Sequence, residues 1–133
     1  MTDTTHLQDP FVEAFPENAP FWAAAERGEL LLRHCEDCGR PHWFARVVCP
    51  LCGSDRLAWK TASGRGEIHS FSVVRRAGDP YVLAYVRLDE GPTVMTNIVD
   101  TPFESLRIGQ RVHAVFRAVP EGRSMPFYVA DGA

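Results

Sequence analysis

Cys35-Glu36-Asp37-Cys38-Gly39 and Cys49-Pro50-Leu51-Cys52-Gly53, separated by ten residues, hold all four cysteines of the chain. The two-residue gap within each pair lets both thiolates turn towards one ion, and the glycine that follows permits the tight turn whose backbone N–H groups approach the sulfurs. Four thiolates close a tetrahedral site, leaving no position for water or substrate, so zinc held by Cys35, Cys38, Cys49 and Cys52 would be structural. Such binding is worth about 10–16 kcal/mol at neutral pH. That is ample for the surrounding residues 30–62, whose short apolar runs (30–32, 43–44 and 57–59) cannot fold on burial alone. Two other readings of the same sulfurs stay open: a pair of disulfides, and an iron site that would make the chain an electron carrier. His34 and His42 flank the cluster and read as supports of the ligands or as solvent-facing residues.

On the N-terminal side, residues 1–29 divide into an arm and a short helix. The arm, to about residue 17, holds Phe11 and Phe15 without a regular period and is expected to be ordered only by what it lies against, or to fray. Asn18 and Pro20 mark a helix start, Gly28 can end the helix in the left-handed conformation, and Phe21, Trp22 and Ala25 share one face. That face either rests on the protein's own core or, through Phe21 and Trp22, contacts a partner.

On the C-terminal side, residues 63–133 change to a period of two over 68–74, 81–88, 94–99, 112–116 and 127–129, which predicts five strands. One parity is steadily apolar: Val82, Ala84, Val86 and Leu88, then Val94, Thr96 and Ile98, then Val112, Ala114 and Phe116. These line a barrel interior. Thr101-Pro102-Phe103-Glu104 has the signature of a capped helix between the third and fourth strands. The fold class is therefore mainly β: an N-terminal helix, a metal ribbon and a five-stranded antiparallel OB-fold barrel, with an SH3-like or other Greek-key barrel as competitor.

A chain of 133 residues, 45% hydrophobic and 23% charged, builds one compact domain or two very small ones. Its formal charge of -3 supplies no basic stripe, which argues against a polynucleotide ligand, although ribbon-plus-barrel modules that bind single strands remain the alternative class. No apolar run could span a bilayer and the start lacks a signal core, so the expected location is cytoplasmic, with no membrane partner. The thiols are committed to the ion, and no Ser, His and acid combination stands out by spacing. Gly64-Arg65-Gly66 is too short for a phosphate loop and reads as a hinge. Outward parity carries Tyr81 and Tyr85, with Arg65, Arg75 and Arg76 close in sequence. Aromatics among arginines can stack an adenine and neutralise phosphates, as in coenzyme A, or simply form a solvated face or a protein interface.

From Phe21 to Val129 the chain resembles the acyl-CoA-associated OB-fold proteins with an N-terminal rubredoxin-like zinc ribbon, catalogued as domain of unknown function thirty-five. The resemblance rests on the two knuckles together with Leu30-Leu31-Leu32-Arg33, Ser63-Gly64-Arg65-Gly66-Glu67-Ile68, Pro80-Tyr81-Val82-Leu83-Ala84-Tyr85-Val86, Glu90-Gly91-Pro92, Asn97-Ile98-Val99 and Ile108-Gly109-Gln110-Arg111-Val112. It implies a non-catalytic accessory subunit of a hetero-oligomer. The implied partner is a thiolase-fold enzyme (a thiolase, an acyltransferase or a side-chain aldolase) or a hotdog-fold hydratase, in lipid or steroid degradation or related acyl-CoA metabolism. It also implies that the barrel lies near the enzyme's acyl-CoA entrance and contributes to the coenzyme pocket. The match weakens after Phe116.

Overall fold

A computed structural model describes residues 9–76 and 78–131; the first eight residues of the expected arm, His6 among them, lie outside these. The chain forms two compact units, one of residues up to Ser63 together with Phe116–Pro126, the other of Gly64–Val115 with the residues from Phe127 onward. No helix of the described residues is long and apolar enough to cross a membrane.

In the first unit, α1 (Pro10–Ala14) and α2 (Ala19–Glu26) are joined by a 3₁₀ turn (Pro16–Asn18). The arm was expected to lack structure of its own, and α1 corrects this. Its start is set twice over: Pro10 occupies the first turn, and the N-cap Asp9 accepts from the Phe11 amide at 2.8 Å. The other oxygen of Asp9 accepts from the amide and guanidinium of Arg123, at 3.2 and 2.9 Å. Burial alone would raise this carboxyl, but Arg123 and the two amides together hold it below the usual carboxylate range. No periodicity of apolar residues reports such a polar clasp. Helix α2 ends as expected, with Gly28 at φ +75° and the Arg27, Gly28 and Glu29 amides donating to Ala24 and Ala25 carbonyls at 2.9–3.0 Å.

A run of neighbouring rings then joins the helices to the metal ribbon: Phe15 to Phe11 (5.2 Å between centroids), Phe11 to Trp22 (5.9 Å), Trp22 to Phe21 (4.8 Å), Phe21 to Trp43 (4.6 Å) and Trp43 to Phe44 (5.0 Å). Offset and edge contacts of this kind are favourable beyond simple burial. The ribbon is a three-stranded antiparallel sheet in the order β2 (Pro41–His42), β1 (Leu31–Cys35), β3 (Leu57–Thr61). Register pairs Arg33 with Trp59, and the Arg33 guanidinium lies 4.3 Å from the indole centroid.

The closed five-stranded barrel is ordered β4 (Arg65–Val74), β5 (Tyr81–Leu88), β6 (Thr93–Ile98), β8 (Ser124–Ala130), β7 (Arg111–Ala118), with most of its residues in the second unit. This is the expected OB arrangement. Strand β5 alternates without exception, with Val82, Ala84, Val86 and Leu88 buried, and Val94, Ile98 and Val112 complete the same interior. Alternation fades along β7, where Ala114 and Phe116 are only half-buried. Tyr128 fills the interior instead, 1% exposed, its phenol pushed up by burial and by the charge of Glu90.

Three local expectations are corrected. The strands are not all antiparallel: β6 and β8 run parallel at Ile98 and Tyr128, because β8 returns from its hairpin with β7 in the direction of β6. The capped helix at Thr101 is a single 3₁₀ turn (Phe103–Ser105), since Pro102 is extended and the Thr101 hydroxyl is used elsewhere. It donates to the Val99 carbonyl (3.0 Å) and accepts from the Ala130 amide (3.2 Å). Of the stretch Gly64-Arg65-Gly66 only Gly64, at φ +76°, lies outside the strand; Gly66 is a strand residue facing Leu88 in β5 and Val112 in β7. A Cβ there would stand 2.4 Å from the Arg87 carbonyl oxygen.

Candidate metal centre and binding face

The strand end of β1 delivers Cys35, its following turn Cys38, and the second knuckle Cys49 and Cys52. In each knuckle the residue after the second cysteine, Gly39 or Gly53, takes a positive φ (+72° and +83°), and its amide returns to the carbonyl of the first cysteine at 2.9 Å. Two further amides point at sulfur: Cys38 N to Cys35 Sγ and Leu51 N to Cys49 Sγ, each 3.4 Å. All four sulfurs lie within 4.8 Å of one another, with Cys35 to Cys52 at 3.5 Å and Cys38 to Cys49 at 3.9 Å.

These separations test the fit to zinc. A tetrahedron with Zn–S bonds of about 2.3 Å has sulfur–sulfur edges of about 3.8 Å, and the measured pairs bracket that value. They are well beyond the ~2.05 Å of a disulfide. The protons of the cluster divide unevenly. The Arg40 amide draws the Cys38 thiol down to about 6. At Cys52 the Ser54 amide favours the thiolate, but the sulfurs of Cys35, Cys38 and Cys49 and burial push it up to about 12. Sulfurs this close cannot all ionise without a cation between them. A zinc ion would be held by the four cysteines and would supply a fixed, water-free crosslink rather than a Lewis acid.

His42 faces neither ligand duty nor solvent. It is 5% exposed, and neither ring nitrogen has a hydrogen-bond partner among the described residues. Burial first, then the charges of Arg33 and Arg46, keep its imidazole below the ordinary histidine value, hence neutral.

The five residues expected to meet coenzyme A do not form one patch. Arg75, Arg76 and Tyr81 are gathered at one end of the β4–β5 hairpin, with Arg75 over the Phe103 ring at 5.4 Å. Tyr85 lies midway along β5 opposite Ser70. Arg65 starts β4, ten residues and about 33 Å of strand from Arg75, and is ion-paired with Asp131 at 3.4 Å. Beside the tyrosines stand Leu83 and, at the far end, Arg87 on their side of β5, with Met95 facing Tyr85 across the β5–β6 ladder. Tyr81, Leu83, Tyr85 and Met95 are 51, 37, 46 and 64% exposed.

Phe21 and Trp22, expected at a partner contact, are 2% and 6% exposed. Both are spent on the aromatic run inside their own unit. The rings left outside at its two ends are Phe15 and Phe44, 41% and 46% exposed, followed along the metal loop by Val47, Val48 and Leu51.

Comparison with known proteins fits this two-part architecture. Residues 22–58 match the rubredoxin-like zinc ribbon domain of ChsH2, and residues 59–117 match the ChsH2 C-terminal OB-fold domain. A DUF35 domain-containing scaffold protein of Methanothermobacter thermautotrophicus is 39% identical over 103 residues, spanning 72% of this chain and 77% of that one. The chain belongs to the DUF35 family. A probable enoyl-CoA hydratase alpha subunit of Thermomonospora curvata is 32% identical over 103 residues, which are 72% of this chain but 32% of that protein. Among solved structures, the Ltp2-ChsH2(DUF35) aldolase superposes with a TM-score of 0.76 at 29% identity, over 85% of this chain and 93% of that one. A DUF35 protein of Sulfolobus solfataricus superposes at 0.66 and 13% identity, which reports the fold alone.

Proposed function

We propose that this chain is a non-catalytic accessory subunit that binds a thiolase-fold acyl-CoA enzyme, of the aldolase, thiolase or acyltransferase kind, and helps to form its acyl-CoA pocket. The likeness to the chain of an aldolase complex, across ribbon and barrel alike, carries this reading. The chemistry agrees with it. A closed four-thiolate centre offers no open metal position, and a row of exposed apolar side chains on a rigid closed barrel is suited to a protein surface. We assign the docking face to Tyr81, Leu83, Tyr85 and Met95, and a second contact to Phe15 and Phe44, which the buried Phe21 and Trp22 support. Arg75 and Arg76 beside Tyr81 are the groups we assign to the phosphates and adenine of coenzyme A. A hydratase subunit, as the Thermomonospora curvata relative is named, is the other partner class this assignment admits.

The test is affinity capture of the tagged full chain from its native host, with co-purifying proteins identified by mass spectrometry. A thiolase-fold acyl-CoA enzyme in near-stoichiometric yield is expected. Capture of the chain alone, together with full activity of the isolated enzyme, would overturn the proposal.

A further inference from the structure

Asp37 stands between the two cysteines of the first knuckle, and its carboxylate reaches across to the second. One oxygen accepts from the Ser54 hydroxyl and the other from the Arg56 guanidinium. The Ser54 hydroxyl in turn accepts from the Arg56 amide at 3.0 Å. Two backbone bonds frame the same bridge: Glu36 N to Arg56 O at 2.8 Å and Cys49 N to Ser54 O at 2.7 Å. The knuckles are thus tied directly to one another, through a group that touches no sulfur.

We infer that Asp37 is a positioning residue for the metal centre, a bridge between the knuckles that holds zinc against release. Release of zinc from such a site would go one Zn–S bond at a time, the vacated position on the ion taken by water or chelator and the freed thiolate taking a proton. Cys52 is the exposed ligand, two residues before Ser54, and is the natural first to detach. With Ser54 and Arg56 still fastened to Asp37, the freed sulfur stays beside the ion and rebinds. Without the bridge the turn that carries Cys52 would be held only by the backbone bonds of Glu36 to Arg56 and of Cys49 to Ser54, and the next Zn–S bond would break from a looser site. The bridge lies near solvent, with the Arg56 and Asp37 side chains 69% and 42% exposed. Its effect on the rate is therefore modest, about two- to fivefold, the range of an exposed charge pair.

The measurement is the first-order transfer of zinc from the loaded full-length chain to a chromogenic chelator in excess, with metal content and far-UV circular dichroism recorded for each variant. Asp37→Ala is expected to release zinc about two- to fivefold faster at unchanged stoichiometry and barrel signal. Ser54→Ala and Arg56→Gln are expected to give smaller accelerations that do not add to that of Asp37→Ala. Glu36→Ala, which removes the same charge one residue earlier without touching the bridge, is expected to leave the rate unchanged. Equal rates for wild type and Asp37→Ala overturn the inference, as does equal acceleration by Glu36→Ala, which would make the effect one of net charge. Should Asp37→Ala not load zinc, Ser54→Ala, which keeps every charge, decides: an unchanged rate overturns the bridge. A wild-type chain that takes up no zinc would overturn the metal assignment itself, a result distinct from all of these.

Discussion

Stripping the metal should unfold the part of the chain built on it and spare the barrel. Within residues 30–62 the deeply buried apolar side chains are Leu30, Leu32 and Ala45, with Cys35 and Cys49. Two buried leucines contribute about 3–6 kcal/mol, against about 10–16 kcal/mol for the ion. The sheet offers little more, its strands being five, two and five residues long. Metal therefore outweighs burial in the ribbon by roughly 1.7- to fivefold, and a chelator should remove its order. The assay is built into the composition: the three tryptophans, Trp22, Trp43 and Trp59, all belong to the first unit, and no cysteine contributes to the barrel interior. On addition of excess chelator the tryptophan emission should shift to the red and the near-ultraviolet dichroism collapse, while most of the far-ultraviolet β signal persists and zinc restores the rest. Unchanged tryptophan spectra from a demonstrably metal-free chain would refute the reasoning.

Gly66→Ala should destabilise the barrel by about 2–4 kcal/mol in urea unfolding followed by circular dichroism, because the new methyl meets a backbone oxygen that cannot turn aside; a loss below about 0.5 kcal/mol would show that β4 and β5 yield freely. His42 is held neutral in the folded chain, so the unfolded state binds the extra proton between the depressed folded value and 6.5. Stability should accordingly fall as pH drops below about 6.5. A His42→Gln variant compared at equal zinc loading should lack that slope, and an identical slope would locate it elsewhere. Asp9, whose carboxyl is held low, contributes stability that is present above the ordinary carboxylate range and lost as pH falls through its folded value. Asp9→Asn should speed amide exchange in α1 and at Arg123, and unchanged protection there would show that the clasp is dispensable.

The sequence was most legible where one physical requirement dominates. Knuckle spacing and the glycines that follow it stand in the structure as read, since no other residues satisfy a four-thiolate site with that chain geometry. Strand β5 was equally plain because one face is buried and the other wet over its whole length. Interactions that use polar atoms at a distance were not legible. Asp9 and Arg123 are 114 positions apart, and nothing local marks either as a clasp. Thr101 looked like a helix cap because its hydroxyl has the right neighbours, yet the Ala130 amide claims it. Gly66 read as a hinge because a sequence shows flexibility and hides the backbone pressed against it. Phe21 and Trp22 could be read either as core or as a docking face, because helical spacing reports a shared side without saying what covers it; the chain's own rings Phe11 and Trp43 lie against them.

We propose that the barrel face of Tyr81, Leu83, Tyr85 and Met95 joins this chain to an acyl-CoA enzyme that performs the chemistry, and titration of wild type and a Tyr85→Glu, Met95→Glu double variant against the captured partner in isothermal calorimetry measures that contact. The pair faces one another across the β5–β6 ladder and is 46% and 64% exposed, so each charge stays solvated in the free chain, and thermal unfolding of the free variant measures the repulsion between them. Burying them in an apolar contact should weaken binding by about thirtyfold or more, the scale of an interface hot spot. Equal affinities for the two proteins would contradict the assignment.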